Sequence, residues 1–595
     1  MFSLPLEAGS DAREVAMPGR PAQVLPWGDQ LLVTIRDPGL LLVMVRDAAK
    51  GLVEAARVAL PVDAWGVSLT PDGATALVTS GWSHQLSAID LATAKKKWSV
   101  DVLREPRAIV AREDMAYVTH LTGAAFTRVD GLSGTPHVDV VTLPPAPLRA
   151  PSGRTLAASL AYSATLSPDG ARLFVARHAL GALGKDAWFG ASTVDVMLTK
   201  GDVPLAPKHV GRLPFYRADK GASGDEVKVP GTPQSPFTQP RAIVYRKKTQ
   251  TLLVASEGDD LVAELDALAL DPTLALVRLY PLGAAQDPML PVASKGGAPS
   301  GIALSLDESI AWVWCRSTYD LAQVKLDTAS ASPLLVHLVD DALPAAAALG
   351  RRLFYNAGDR LTSGGVGCAG CHPDGRDDGF VWREAKINTS QGVAVNFLGS
   401  SESAPEEDHV KGWPRRTPIL AGRVKAQGPY GWHAESETLE ARMIAGMGLH
   451  RWGPIPKHEG SNLAARAGAL AAFLRQGLVP PPREERPLTA QEEAGKAVFM
   501  SAEAQCSKCH VPASDYTDRT GYPMPHLKPA GYDDDPKEEY KVPSLLYVSG
   551  HGSLFHDGSA ASLEQLVDQN QDRMGKTHHL DREARASLVA FLKTL

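Results

Sequence analysis

Hydrophobic positions in the first 335 residues recur as paired short apolar segments separated by turn residues. In each pair the first segment follows a proline or a small residue, and the second ends in small polar residues. Intervals of about forty residues suit one four-stranded blade of a β-propeller, and longer intervals suit blades with inserted loops. The second segments of the six recognisable copies carry Val33, Val78, Val118, Val175, Val254 and Val313.

These repeats predict an N-terminal all-β propeller over residues 1–340. The turns at Pro71–Gly73 and Pro168–Gly170 precede aliphatic segments and resemble the Ser-Pro-Asp-Gly turns of YVTN-type propellers. The interval between Val175 and Val254 is long enough to contain one more copy, so we predict seven blades. A β-sandwich or a solenoid is the alternative, because turn-plus-strand patterns recur in many all-β folds.

Beyond residue 345 the apolar residues change to helical spacing, as in Ser461–Leu478 and Asp581–Leu595. Short motifs occur twice in this part, for example Gly350–Phe354 and Gly495–Phe499, each ahead of one cysteine pair. The duplication predicts a mainly α part built from two copies of one small module, residues 345–480 and 488–595.

Two cysteine motifs define the candidate chemistry of this part. In a Cys-x-x-Cys-His motif both thiols can add to the vinyl groups of one haem, and the adjoining histidine can bind its iron. A zinc site made from two cysteine pairs is the alternative, but zinc does not require a histidine after each pair. The motifs therefore predict two covalently attached haem c groups, held by Cys368, Cys371 and His372 and by Cys506, Cys509 and His510.

The net charge of the whole chain argues against a nucleic-acid partner, and its hydropathy argues against a membrane span. The 61 basic and 67 acidic residues give a net charge of −6, which lacks the basic excess of a nucleic-acid-binding protein. The longest apolar segments, such as Leu40–Val45, are far shorter than the ~20 residues of a membrane span. We therefore predict no nucleic-acid partner and no membrane span.

Residues 345–595 resemble the bacterial di-haem cytochrome c peroxidase family, which includes the MauG-like enzymes. Beyond the cysteine motifs, the resemblance lies in Arg416–Pro418, Trp432, Lys541–Leu545 and Leu554–Gly558. It implies two cytochrome c-like halves in which the C-terminal haem receives electrons and the N-terminal haem reacts with peroxide. The implied proximal iron ligands are His372 and His510, and the implied electron relay is Trp432.

The resemblance also suggests residues on the distal side of each haem. Met574 is the implied sixth ligand of the second haem, with helix packing as its alternative role. His433 corresponds by internal symmetry to His556, and we predict a distal-pocket role for both. The family's proton-moving glutamate has no counterpart in Met443–His450, and the candidate substitutes are Glu435, Glu437 and Glu440, which lie earlier in the chain. We therefore predict catalytic roles for Trp432, His433 and Glu435.

A bound calcium ion is implied by the family, but Arg416 stands where the family has an asparagine ligand, which argues against calcium. The predicted function is a periplasmic di-haem oxidoreductase, peroxidase-like or MauG-like. Its partners would be hydrogen peroxide and a small cytochrome or cupredoxin, or an oxidised client protein. The alternative is a non-enzymatic electron-transfer protein whose propeller docks the redox partner.

The expected compartment follows from haem attachment, which takes place outside the bacterial cytoplasm. The segment Met1–Gly9 has no charged region, apolar core or small-residue cleavage site. We therefore expect a periplasmic protein whose sequence is trimmed or whose start is misassigned.

Overall fold

The protein is described by a computed structural model. The structure describes residues 2–3, 13–143, 158–181, 189–205, 217–219, 226–228, 237–283, 285–287, 290–328, 332–359, 361–362, 366–384, 387–388, 393–394, 413–449, 460–524 and 539–595.

Six four-stranded antiparallel sheets form the N-terminal part, and in each the strands are hydrogen-bonded in chain order. Sheets one to three comprise Pro21–Trp27, Gln30–Ile35, Leu40–Asp47, Gly51–Ala59; Ala64–Leu69, Thr75–Ser80, Gln85–Asp90, Lys95–Asp101; and Pro106–Arg112, Met115–His120, Ala125–Asp130, His137–Thr142. Sheets four to six comprise Ala158–Leu166, Arg172–Gly181, Phe189–Leu198, Val203–Leu205; Pro240–Arg246, Thr251–Ser256, Leu261–Asp266, Leu276–Pro281; and Pro299–Leu304, Ile310–Cys315, Asp320–Lys325, Leu334–His337.

The apolar core of this part lies between successive sheets. All six predicted valines fall on second strands and are fully buried. Neighbouring residues of a strand face opposite sides, so Val78 packs toward the first sheet and Leu77 toward the third. Both faces of a second strand are therefore covered, which explains its nearly continuous apolar sequence. The β-propeller prediction is confirmed.

The prediction of seven blades was wrong, because six blades are present in the described part of the chain. The described residues of the interval between Val175 and Val254 form no further four-stranded sheet. Two ten-residue strands of the fourth blade, Arg172–Gly181 and Phe189–Leu198, occupy part of it. A two-stranded ladder, Arg217–Asp219 with Glu226–Lys228, lies in the remainder.

The C-terminal part is mainly helical. Its α-helices are Ala345–Tyr355 (α1), Cys368–Cys371 (α2), Leu439–Leu449 (α3), Gly460–Gln476 (α4), Ala490–Met500 (α5), Cys506–Cys509 (α6), Leu563–Gln569 (α7) and Arg582–Leu592 (α8).

Short 3-10 helices occur in both parts of the chain, at Pro272–Leu274, Pro373–Gly375, Arg423–Lys425, Pro512–Ser514 and Val548–Gly550. The remaining two-stranded ladders are Phe2–Ser3 with Arg13–Glu14, Ala285–Asp287 with Leu290–Ala293, Val381–Glu384 with Trp413–Arg416, Ile387–Asn388 with Val393–Ala394, and Gly521–Pro523 with Glu539–Lys541.

The predicted duplication is visible in the packing of two helix pairs, α1 on α4 and α5 on α8. A Cβ atom on Gly350 would lie 1.9 Å from a carbonyl oxygen of α4, and one on Gly495 would lie 1.9 Å from a carbonyl oxygen of α8. Glycine is therefore required at both crossings. The aromatic pairs beside them match as well: Phe354 with Phe473 and Phe499 with Phe591 both have ring centroids 5.4 Å apart at 57°. Among the helices described, none is long and apolar enough to cross a bilayer.

Candidate functional site

The first Cys-x-x-Cys-His motif forms one wall of a largely apolar pocket. Cys368 and Cys371 begin and end α2, and His372 follows directly. The pocket has about 1570 Å³ of empty space, counting its open mouth. Apolar side chains from other helices complete its lining, among them Phe354, Leu470, Met443 and Met447. The three motif residues thus face one space from one short segment.

The imidazole of His372 is suited to bind a metal. Its Nδ1 atom is buried and makes no hydrogen bond of normal geometry to a described residue, although the carbonyl groups of Pro418 and Arg376 lie nearby. Burial lowers its pKa to about 4. At neutral pH the ring is therefore uncharged, which is the metal-binding form.

The second motif is arranged in the same way around a second pocket. Cys506, Cys509 and His510 line a space of about 1640 Å³. Nδ1 of His510 lies 3.0 Å from the carbonyl oxygen of Tyr516, an acceptor that fixes the ring orientation. Burial also lowers the pKa of His510. Each motif therefore has its own pocket.

Met574 and His556 line this second pocket together with His510. The Met574 backbone is held by Asn570, whose side-chain amide makes hydrogen bonds of 2.9 Å to both its N–H and its C=O. His556 is buried, its ring lies 4.2 Å from that of Tyr540, and its Nε2 atom is unpaired among the described residues. Both residues predicted around the second haem thus share one pocket.

Trp432 lies between the two pockets and lines both. Its ring is 6.3 Å from that of His556, and the guanidinium carbon of Arg416 lies 5.2 Å from its centre. The position suits an aromatic side chain that connects the two sites.

His433 and Glu435 lie outside the residues found to line either pocket. Nε2 of His433 lies 2.9 Å from Nη2 of Arg415, and Nδ1 lies 2.6 Å from the carbonyl oxygen of Glu539. Glu435 accepts a hydrogen bond of 2.8 Å from Arg442, which does line the first pocket. Both predicted catalytic residues therefore sit behind the pocket wall.

The sequence analysis assigned no role to Met443 and Met447, which line the first pocket. The two residues are four positions apart on α3, so they share one helix face. That spacing is the signal that would have indicated them.

The charges around both pockets are of one sign. Among the described lining residues there is no aspartate or glutamate. Cationic side chains line the first pocket instead: Arg415, Arg416, Arg423, Arg442 and Lys541. Apolar walls with cations and paired cysteines fit a flat apolar group that carries carboxylates, as haem does.

The segment after His372 enters the propeller. Nε of Arg376 lies 2.8 Å from Oε1 of Glu105, and both side chains are buried. Asp374 accepts a hydrogen bond of 2.7 Å from Arg316. Burial alone would raise the pKa of Asp374, but Arg316 and Arg241 hold it well below its ordinary value. These propeller residues carried no signal in the sequence, because their partners are more than fifty positions away.

Asp377 joins all three parts of the molecule. It pairs with Arg104 of the propeller at 2.5 Å, and its Oδ2 lies 3.3 Å from Nδ1 of His551 in the C-terminal module. Its pKa lies far below normal, because Arg104 and His551 together outweigh the effect of burial. The segment that follows His372 is therefore held by the propeller on one side and by the C-terminal module on the other.

The fold and site together define a multidomain protein, with a six-bladed β-propeller followed by a mainly helical part that bears two Cys-x-x-Cys-His pockets. No family model matches the chain. The chain is 27% identical over 283 residues to the cytochrome c551 peroxidase of Nitrosomonas europaea, which covers 42% of this chain and 79% of that protein.

Solved structures similar to the chain include three that match about half of it. These are the β-propeller domain of Myceliophteria thermophila Cps50 (11% identity, 54% of this chain, 87% of that chain, TM-score 0.35), Kuenenia stuttgartiensis hydrazine synthase (16%, 55%, 99%, 0.32) and a putative 6-phosphogluconolactonase of Bacteroides fragilis (13%, 54%, 81%, 0.36). Likeness at this level assigns no function.

Proposed function

We propose that this protein is a di-haem c-type oxidoreductase, peroxidase-like or MauG-like. The observation that carries the proposal is that each Cys-x-x-Cys-His motif lines its own pocket while Trp432 lines both. The similarity to a cytochrome c551 peroxidase supports it. Haem bound in these pockets would supply one-electron chemistry and reactivity toward peroxide.

In this proposal the chain's residues set the ligands and the direction of electron flow. His372 and His510 would hold the two irons, and Met574 would supply a further ligand in the second pocket. A thioether ligand favours the reduced metal, so the second pocket has the higher potential and receives electrons. Trp432 then passes them to the first pocket.

Proton handling falls to the residues behind the first pocket. Glu435 binds Arg442, which lines that pocket, and it also accepts a 2.9 Å hydrogen bond from the backbone N–H of His433. These contacts hold the Glu435 carboxylate and the His433 imidazole beside the wall of the first pocket, and neither side chain lines it. The substrate class is hydrogen peroxide or an oxidisable client protein, and the electron donor is a small cytochrome or cupredoxin. Haem c is attached in the periplasm, so the periplasm is the proposed compartment of this protein.

A second candidate is a non-enzymatic electron-transfer protein. The observation favouring it is that no carboxylate lies among the described residues lining either pocket. Met443 and Met447 supply thioethers to the first pocket, and soft sulfur ligation suits electron transfer. In this case the propeller serves as the docking module.

Haem counting and spectroscopy test both functions. Pyridine haemochrome analysis of the purified chain is expected to give two haems, and Cys506→Ala with Cys509→Ala to give one. Cys315 is a matched control, since it is a buried lone cysteine in the propeller, and Cys315→Ala keeps both haems. Oxidation of the reduced protein by peroxide supports the enzyme, whereas unchanged visible and EPR spectra support electron transfer alone. A colourless zinc protein contradicts both.

A further inference from the structure

The wall between the two pockets is rich in positive charge. Six residues line both pockets, and Arg416, Arg423 and Lys541 are three of them. Arg416 is 7% exposed and its guanidinium packs against Trp432. These three side chains, here called the shared cation cluster, therefore line both pockets, with Arg416 buried and Arg423 and Lys541 partly buried.

Among the described residues, the shared cation cluster makes its hydrogen bonds with neutral groups. Arg416 donates to the carbonyl oxygen of Phe555 at 2.7 Å and reaches Nδ1 of His551 at 2.7 Å. Arg423 donates to the carbonyl oxygen of Ser544 at 3.2 Å. Within the described residues, no ion pair joins any of the three cations to a carboxylate, and Asp377 is already paired with Arg104.

The electrostatics of the cluster favour an added negative charge, because burial outweighs the attraction of Asp377 for Arg416 and of Glu435 for Lys541. Burial, followed by repulsion from Arg423, lowers the pKa of Arg416 to about 9 and that of Lys541 to about 8. Burial lowers the pKa of Arg423 to about 10. A buried cation without an anionic partner is costly. An anionic group that enters the pockets would remove this cost.

We propose that Arg416, Arg423 and Lys541 form one carboxylate-binding site shared by the two pockets, which holds haem propionate groups from both sides. The inference rests on the proposed function. Arginine binds carboxylates through two parallel hydrogen bonds, and lysine adds a point charge. A single cation cluster between two redox groups raises the potentials of both, because each positive charge acts on both irons.

The test is the reduction potential of each haem in the intact holoprotein, measured by spectroelectrochemistry at low salt. Arg423→Gln removes one positive charge, which disfavoured ferric iron, so the potentials of both haems are expected to fall. Arg423→Lys keeps the charge and is expected to restore most of the shift. Arg483→Gln is the matched control, since Arg483 packs on Tyr547 outside the residues that line either pocket. Unchanged potentials in Arg423→Gln, or a shift in one haem only, would overturn the shared site.

Two further measurements keep the test decisive. Lys541→Gln repeats the experiment at a partly exposed position in case Arg423→Gln does not fold, and the same fall in both potentials is expected. Inorganic phosphate is added to the wild type as a competing anion. If phosphate shifts the wild-type potentials but not those of the variant, the cluster binds free anions and the propionate assignment is wrong. The pyridine haemochrome count separates the two proposals: two haems with unshifted potentials contradict only the shared site, and no haem contradicts the proposed function as well.

Discussion

Arg376 lies four residues after His372 in the chain, yet its guanidinium binds Glu105, 271 positions earlier, inside the propeller. Burial would raise the pKa of Glu105, but Arg376 and Arg107 outweigh that effect and hold it below its ordinary value. The propeller therefore holds the segment that follows His372, the proposed first iron ligand. The propeller face that contacts this segment is therefore covered by another part of the same chain.

Arg376→Gln should destabilise the folded protein by about 3–5 kcal/mol, because it leaves Glu105 with a buried and less compensated charge. Chemical denaturation of the holoprotein measures the loss. Arg57→Gln is the control, since Arg57 makes an exposed ion pair with Glu54, and its unfolding midpoint should not move. Equal midpoints for Arg376→Gln and wild type would show that the ion pair does not hold the two parts together.

Stability should fall as the pH rises from about 4 to about 7 because of Asp260, which faces Asp259 and Asn356 at the propeller–α1 boundary. Burial raises the pKa of Asp260 to about 7 from an ordinary 3.8. The folded state thus binds a proton that the unfolded state has released, and this proton-linked stability is lost as the pH passes the folded pKa. Asp260→Asn cannot titrate, so its stability relative to wild type should rise with pH. Asp307→Asn is the exposed control, and a parallel rise there would refute the assignment.

Met574→Ala should convert one haem to a high-spin or water-ligated spectrum and lower its potential. The reason is that Met574 lines the second pocket with His510, and a thioether stabilises ferrous iron. Met500→Ala, at an exposed methionine on α5, should leave both haems unchanged. Survival of the near-infrared methionine–iron band in Met574→Ala would mean that another side chain holds the sixth position.

Peroxide turnover should be slow, by about 10²–10⁴-fold relative to an enzyme with acid–base assistance, since no described carboxylate lines the first pocket. Gly446 on α3 lines this pocket, and a Cβ atom there meets open space. Gly446→Glu should therefore raise the steady-state peroxide rate, and Gly446→Gln should not. A fast wild-type rate would point to Glu435 as the working base.

Trp432→Phe should slow electron transfer between the haems while leaving both spectra intact, because phenylalanine fills the shared wall but is harder to oxidise. Stopped-flow reduction followed at each haem measures this step. Trp98→Phe in the propeller serves as the control. If transfer in Trp432→Phe is as fast as in wild type, Trp432 packs between the pockets without carrying electrons.

Local sequence patterns determined which segments form blades and helices, and they predicted which residues would bind the proposed cofactors. These patterns involve residues that are close in the chain or that pack in one layer. They are the buried valines, Gly350 and Gly495, and both cysteine motifs. Their spacing is therefore visible in the chain itself, and the duplicated helix pairs followed from it.

Only the tertiary structure decided how these pieces meet. The blade count depended on whether the long Val175–Val254 interval formed a sheet or extended two strands. The position of Met447 in the pocket depended on how α3 packs. The position of His433 behind the pocket wall depended on its contacts with Arg415 and Glu539. Arg376 binds Glu105, which lies 271 positions away in the chain. A charged or thioether side chain has many potential partners in the sequence. The packing of the folded chain decides which of them it contacts, because it buries the two side chains together.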